Sequence, residues 1–315
     1  MVAPSCVLGV AVHAPTPAET LATMRRAEDL GVAAAWLTTG GVGPDGLTLL
    51  AAAAAQTSRI KLGTSIVPTF PRHPLVVVQQ TLVLASIAPG RFRLGVGPSH
   101  RPAIETTFGI PFDHPLEHLR EYVTILKQGL QQGTIDFDGK WLHAHGRVPN
   151  PPNVPVLTSA LRQGSYELAG EVADGAISWI TPAAFLRDAA RPALLRGAAR
   201  RTDDRLPILV GHVFAAVTDD SQRALQVGRE RLAGYARAQF YQEMFAAAGF
   251  PEARQGVIDD ELVKSIVVHG DEQAVRASLE RFAGAGLDEL IVSPLVVGSD
   301  ERESIDRTLR ALSAR

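Results

Sequence analysis

Cysteine is nearly absent from this chain: Cys6 stands alone in 315 residues. One thiol forms no internal disulfide and builds no cysteine metal cluster. Lysine is scarce too, and with 31 basic against 33 acidic residues the formal charge is only −2. No net field draws the chain to nucleic acid or to an anionic membrane. No apolar run approaches the roughly 18 residues of a membrane-crossing helix, and Met1 to Ser5 lack the basic-then-apolar order of a secretory leader. These absences lead us to expect a soluble, cytoplasmic protein whose partner is a small molecule.

What is present is 46% hydrophobic residues, enough over this length for a large single core, arranged in alternating strand and helix signals. Val7 to Val12 is a short apolar run. Thr16-Pro17-Ala18-Glu19 then opens a helix with a capping residue, a first-turn proline and an acid, and Gly31 stops it after Leu30. Ala34 to Thr38 reads as a second strand, and Asp45 caps a Leu- and Ala-rich helix ending near Ser58. Ile60 to Val67, Leu75 to Ser86 and Phe92 to Val96 add strand, helix and strand. Repetition of this unit predicts a parallel sheet.

The rhythm breaks over 101–153, where a helix (115–131) and a hairpin near Phe137-Asp138-Gly139-Lys140-Trp141 read as an insertion covering one mouth of the sheet. It resumes with strands at 156–158, 175–180 and 207–217, helices at 163–172 and 182–201, and a helical stretch over 221–248. A second irregular insertion, at about 249–265, precedes a helix (271–285), a strand (289–293) and a last helix (301–313). Strands separated by helices in this number fit a closed (β/α)8 TIM barrel with insertions better than an open doubly wound sheet. No linker or repeat divides residues 1–315, so one domain is expected.

Two of these strands end in Gly63-Thr64-Ser65 and Gly95-Val96-Gly97. Small residues there leave room for a flat ligand, and we read them as the floor of a cofactor pocket. Gly41-Val42-Gly43-Pro44-Asp45-Gly46 has dinucleotide-type spacing, but Pro44 removes an amide and Asp45 puts a carboxylate where a pyrophosphate would lie. A tight loop and a capped helix fit better. His143-Ala144-His145 has the paired spacing of a metal motif, with no acidic or histidine partner at suggestive spacing, so no metal is expected. Asp203-Asp204 and Asp219-Asp220 fall where aspartate caps helices. Trp36 and Trp179 lie near the C-terminal ends of strands, where barrel active sites form, and with Thr38 are expected to line a substrate pocket.

Ile60 to Pro74 (IKLGTSIVPTFPRHP), Arg91 to His100 (RFRLGVGPSH), Phe108 to Asp113 (FGIPFD), His118 to Tyr122 (HLREY), Leu168 to Gly175 (LAGEVADG) and the run Gly270 to Ser293 together resemble the luciferase-like family of flavin and deazaflavin oxidoreductases. They look most like its branch that uses coenzyme F420. The resemblance spans nearly the whole chain and implies a barrel with insertions, usually a homodimer. It also implies a third-strand bulge at Thr64-Ser65-Ile66, often with a non-prolyl cis peptide, and Ile66 against the central ring. The phosphate would meet the turn Ala160, Leu161, Arg162, Gln163 and Gly164, together with Ile180 and Thr181. Arg72, Arg101 and Arg162 are candidate rim cations for the coenzyme's polyanionic tail.

One departure matters. Many relatives carry an acidic-histidine pair at the end of the second strand, where Thr38-Thr39-Gly40 stand here. The imidazoles left at that mouth are His100 and His13, our candidate catalytic proton donors or acceptors; His73 reads as structural. The expected activity is hydride transfer between coenzyme F420 and a small organic substrate. The alternatives are an FMN-dependent monooxygenase using reduced flavin and oxygen, and a binding protein for the same cofactors without turnover.

Overall fold

The structure, a computed structural model, describes residues 6–313. Among these residues eight parallel strands close into a barrel: β1 (Val7–Ala11), β2 (Ala34–Leu37), β3 (Lys61–Thr64), β4 (Phe92–Gly97), β5 (Val156–Ser159), β6 (Gly175–Ile177), β7 (Ile208–Val217) and β8 (Glu289–Pro294). Each pairs with its successor, and β8 pairs with both β7 and β1, so the ring has no open edge. The expected barrel is present.

Side chains alternate across the wall. Ala34, Trp36, Leu157, Ile177, Val210 and Ile291 fill the interior, while Val10, Ala35, Leu62, Leu94, Val156 and Val213 pack outward against the helices. The helices start where local chemistry directs. Thr16 and Glu19 form a reciprocal cap on α1 (Pro17–Asp29). Asp45 accepts the Thr48 N–H (2.8 Å) at the start of α2 (Gly46–Ala54), so the glycine-rich stretch is a capped helix entry. His73 Nδ1 accepts the Leu75 N–H (3.2 Å) at the start of α3 (Pro74–Ile87), a structural role.

Three expectations change. After α4 (Pro115–Lys127), the hairpin strands Thr134–Asp138 and His143–Arg147 do not cover a mouth. The hairpin folds back along α4, where Glu121 accepts the N–H groups of Lys140, Trp141 and Leu142 and Trp141 stacks on His114. Ile125, Ile135 and Ala144 form a small core of their own there. Beyond α5 (Gln163–Val172) and α6 (Arg191–Ala198), the stretch 221–248 is two helices, α7 (Ser221–Tyr235) and α8 (Gln239–Ala247). The second insertion holds α9 (Asp260–Ile266) and then a strand, Val267–Gly270, that pairs with the upper half of β7. The chain ends with α10 (Glu272–Ala283) and, after β8, α11 (Glu301–Leu312).

The barrel's N-terminal end is plugged by charge and aromatic surface. Trp36 is fully buried and its Nε1–H donates to Glu289 Oε1 at 2.8 Å. Arg93 bonds the same carboxylate and lies over the indole, 4.6 Å from the ring centroid. Trp36 therefore belongs to the barrel interior and does not line a substrate pocket. Its strand position pointed it inward correctly, but the indole reaches toward Glu289, the first residue of β8.

Candidate active site

The C-terminal mouth is shaped first by the third strand. β3 leaves its ladder after Thr64 and resumes pairing at Val67–Pro68, and the Ser65–Ile66 peptide between them is cis, where the family resemblance puts such a bond. β2 grips both sides: Ser65 N–H donates to Leu37 O (2.9 Å) and Thr39 N–H to Ile66 O (3.2 Å), while Thr38 Oγ1 donates to Ser65 O (2.9 Å). Ser65 Oγ is buried and, among the described residues, has no hydrogen-bond partner. Ile66 is half-buried on top of the interior cluster, as is Trp179.

The expected glycine floor divides in two. A Cβ on Gly63 would sit 2.5 Å from the Trp36 ring, and one on Gly95 would sit 2.0 Å from Thr64 O. Their missing side chains are filled by protein, and Thr64 Oγ1 is spent on Gly95, donating to its carbonyl and accepting its N–H (both 2.8 Å). Gly63, Thr64 and Gly95 thus shape the wall from inside and leave no room for a ligand. Gly97 differs. A Cβ there would lie 2.1 Å from Ser159 Oγ and 3.2 Å from Ile66 Cγ1, so it adjoins the bulge at the mouth itself.

The anion-binding turn is also narrower than expected. Ala160 N–H donates to Ile177 O (2.9 Å), and the Leu161 and Arg162 N–H groups donate to Ser165 Oγ (3.2 and 3.1 Å). The amides that start α5 at Gln163 and Gly164 have no preceding carbonyl of the helix to meet, and both residues are exposed. Ile180 N–H is committed to His212 Nδ1 (3.3 Å), with the Ile180 backbone at φ 45°, a conformation a β-branched residue adopts only when its surroundings hold it there. Thr181 is fully buried, accepting from Ser178 Oγ (2.8 Å) and donating to Trp179 O (3.1 Å). Of the three rim cations, Arg72 is paired with Asp45 (2.6 Å) and Arg101 with Glu105 (2.6 Å). Arg162 is exposed and has no ion pair among the described residues.

Sequence reasoning missed His212. Burial hides it completely, and it follows Ile208 and Val210 in the inward parity of β7, the one position where a polar ring interrupts that apolar row. Trp179 stacks on it, 3.6 Å between centroids and 14° between planes, and is held in turn by donating Nε1–H to Tyr235 Oη (3.1 Å). His212 Nε2 meets Ser293 Oγ at 2.8 Å. Burial first, and nearby His13 second, push its pKa well below the ordinary value.

His13 and His100 both reach solvent at the mouth, yet their walls lower both pKa values, by desolvation in each case and for His13 by Arg231 as well. Both are neutral at pH 7 and able to accept a proton. His13 is electrostatically coupled to buried His212. His100 stacks on Phe240 (4.6 Å, 19°), so the loop after β4 meets α8, which follows β7. His143 and His145 lie far from this on the outer hairpin, and the acids the sequence did not pair with them are directly opposite in the ladder: Asp138 (3.1 Å from His143) and Asp136 (2.9 Å from His145). Among the described residues no group of three such side chains is placed to hold a metal ion.

A closed (β/α) barrel with polar and apolar groups gathered at its C-terminal mouth is an enzyme architecture. The chain belongs to the luciferase-like monooxygenase family, whose model matches residues 1–289. It is 27% identical over 289 residues to the F420-dependent glucose-6-phosphate dehydrogenase of Kineococcus radiotolerans, covering 84% of each chain. Its fold is similar to that of an F420-dependent secondary alcohol dehydrogenase in complex with an F420-acetone adduct (TM-score 0.82, 18% identity, 98% of this chain and 100% of that one). It is also similar to the oxygenating constituent of 3,6-diketocamphane monooxygenase from Pseudomonas putida in complex with FMN (TM-score 0.69, 18% identity, 98% and 97% covered).

Proposed function

We propose that this enzyme is an F420-dependent oxidoreductase acting on a small organic substrate at the C-terminal mouth. The observation that carries the reading is the break in the third strand between Thr64 and Val67, where Ser65 Oγ is buried without a partner among the described residues and half-buried Ile66 tops the interior cluster together with Trp179. These residues fit a planar ring: an apolar backing surface with one unmet polar atom at its edge. The F420-dependent names among relatives spanning most of the chain support the choice of ring. Bound there, the deazaflavin would supply a site that gives or takes a hydride.

The chain's own residues would do the rest. Gln163 and Gly164, at the start of α5, would hold the phosphate with two free amides and the helix dipole, and exposed Arg162 would meet the tail. Ile66 and Trp179 would position the ring. His13 or His100, neutral at pH 7, would accept the proton of a substrate hydroxyl as it is oxidised, and the stacked His100–Phe240 contact would help exclude water. The localisation we propose is cytoplasmic.

Fluorescence titration with coenzyme F420 and with FMN tests this. F420 is expected to bind at least about tenfold tighter, which is about 1.4 kcal/mol. Tighter FMN binding would favour the oxygen-using reading, which the FMN-bound Pseudomonas neighbour supports. F420 binding with no turnover across a panel of alcohols and ketones would leave a carrier protein.

We also propose a homodimer that uses α3. Val76, Val83 and Ile87 are 42%, 54% and 40% exposed at positions that share one face of that helix. Light scattering is expected to give twice the chain mass, and Val83→Glu to return it to the monomer; a monomeric wild type would refute the assignment.

A further inference from the structure

Ser293 is the third inward residue of β8, after Glu289 and Ile291, one residue beyond the last pair of the β1–β8 ladder, Val10 with Val292. It is 4% exposed. His212 determines what its hydroxyl does. Because Nδ1 accepts the Ile180 N–H, the neutral ring carries its proton on Nε2, and Nε2–H must donate to Ser293 Oγ. Ser293 is therefore an acceptor toward His212, and its own hydrogen is free. Among the described residues no acceptor takes that hydrogen, although buried donors in native proteins are nearly always met.

The same geometry excludes a relay. Losing the Nε2 proton would leave an imidazolate, and gaining a proton at Nδ1 would break the Ile180 contact. His212 orients and does not shuttle.

We propose that Ser293 is a ligand-contacting residue whose hydroxyl, oriented by His212, donates a hydrogen bond to a carbonyl or ring-nitrogen acceptor of the planar ring bound at the mouth. This rests on the ring-binding reading given above. Ser293 touches the ligand, His212 is a positioning residue, and Trp179, stacked on His212 and held by Tyr235, keeps the pair dry. The device distinguishes rings with an acceptor at that edge from apolar compounds of the same shape.

The test is a fluorescence titration with whichever of coenzyme F420 and FMN the wild type binds more tightly, together with the absorption spectrum of the bound ring. Ser293→Ala is expected to weaken binding about 3- to 10-fold and to shift the bound ring's absorption band. His212→Leu, which frees the hydroxyl to turn, should do both, whereas His212→Gln, whose amide retains a donor toward Ser293, should stay within about twofold of wild type. Circular dichroism checks that each variant folds. If Ser293→Ala does not fold, Ser293→Cys, near in shape and a weaker donor, carries the test with an intermediate loss. Affinity and spectrum unchanged in both Ser293 variants would overturn the proposal while leaving ring binding intact. A wild type that binds neither ring overturns the ring-binding reading, and this assignment with it.

Discussion

Replacing Glu289 with alanine is expected to destabilise the fold by about 3–5 kcal/mol, because it strands a buried cation. Glu289 is 2% exposed and neutralises Arg93, whose side chain is 12% exposed. Arg93 Nε and Nη2 already lack partners among the described residues, and burial brings its pKa down to about 10, still charged at neutral pH. The substitution would also orphan the Trp36 Nε1–H. Against a total stability of about 5–15 kcal/mol, one side chain at the barrel floor decides whether the protein stays folded. Paired replacement by Arg93→Met and Glu289→Leu should cost less than Glu289→Ala alone, since buried ion pairs exchange for apolar groups at little net loss. Urea unfolding at pH 7.5 measures both; a loss under about 1 kcal/mol for Glu289→Ala would show that water reaches Arg93. Because the floor is opposite the mouth, the folded fraction should bind its cofactor with unchanged affinity.

How much of this was legible depended on the range of the forces involved. Caps and strand periodicity are local, so the capped entry at Asp45 and the eight strands could be read directly. Period-two alternation told that Trp36 faces inward but not which way along the axis its indole reaches; Glu289, 253 residues away, decides that. Gly63 shows the same limit. Small residues signal vacated space, and only the packed structure says whether protein or ligand fills it; here Trp36 does. Arg72 reads as a rim cation until Asp45, 27 residues earlier, is brought within 2.6 Å. The hairpin was recognisable as a pair of strands, but its place along α4 rests on Glu121 capping its tip. His212 was visible as a polar ring in an inward apolar row. Its meaning needed Trp179 and Ile180, from the segment that follows β6, and Ser293 on β8.

His212 also predicts how the protein fails in acid. In the unfolded chain it titrates near 6.5, and in the folded chain burial first and His13 second hold it well below that. Below pH 6.5 the unfolded chain therefore binds a proton that the folded chain refuses, and stability falls by about 1.4 kcal/mol per pH unit from this group; above 6.5 it contributes no slope. His118, 9% exposed and lowered by desolvation against a partial offset from Glu121, acts in the same direction. His13 and His100 are lowered too, but both open to solvent and count for less. Glu28 enters later: three backbone N–H donors outweigh its burial and hold it at about 2, so its stabilisation is lost only below about 4.5. Between pH 6.5 and 5.0, wild type should lose more stability than His212→Gln, which cannot titrate, by at most about 2 kcal/mol. Parallel urea midpoints for the two proteins across that window would show that His212 accepts its proton freely. The folded fraction should keep its affinity for the ring over the same window as far as His212 is concerned, because the buried imidazole stays neutral there and its contact with Ile180 and the Trp179 stack persist.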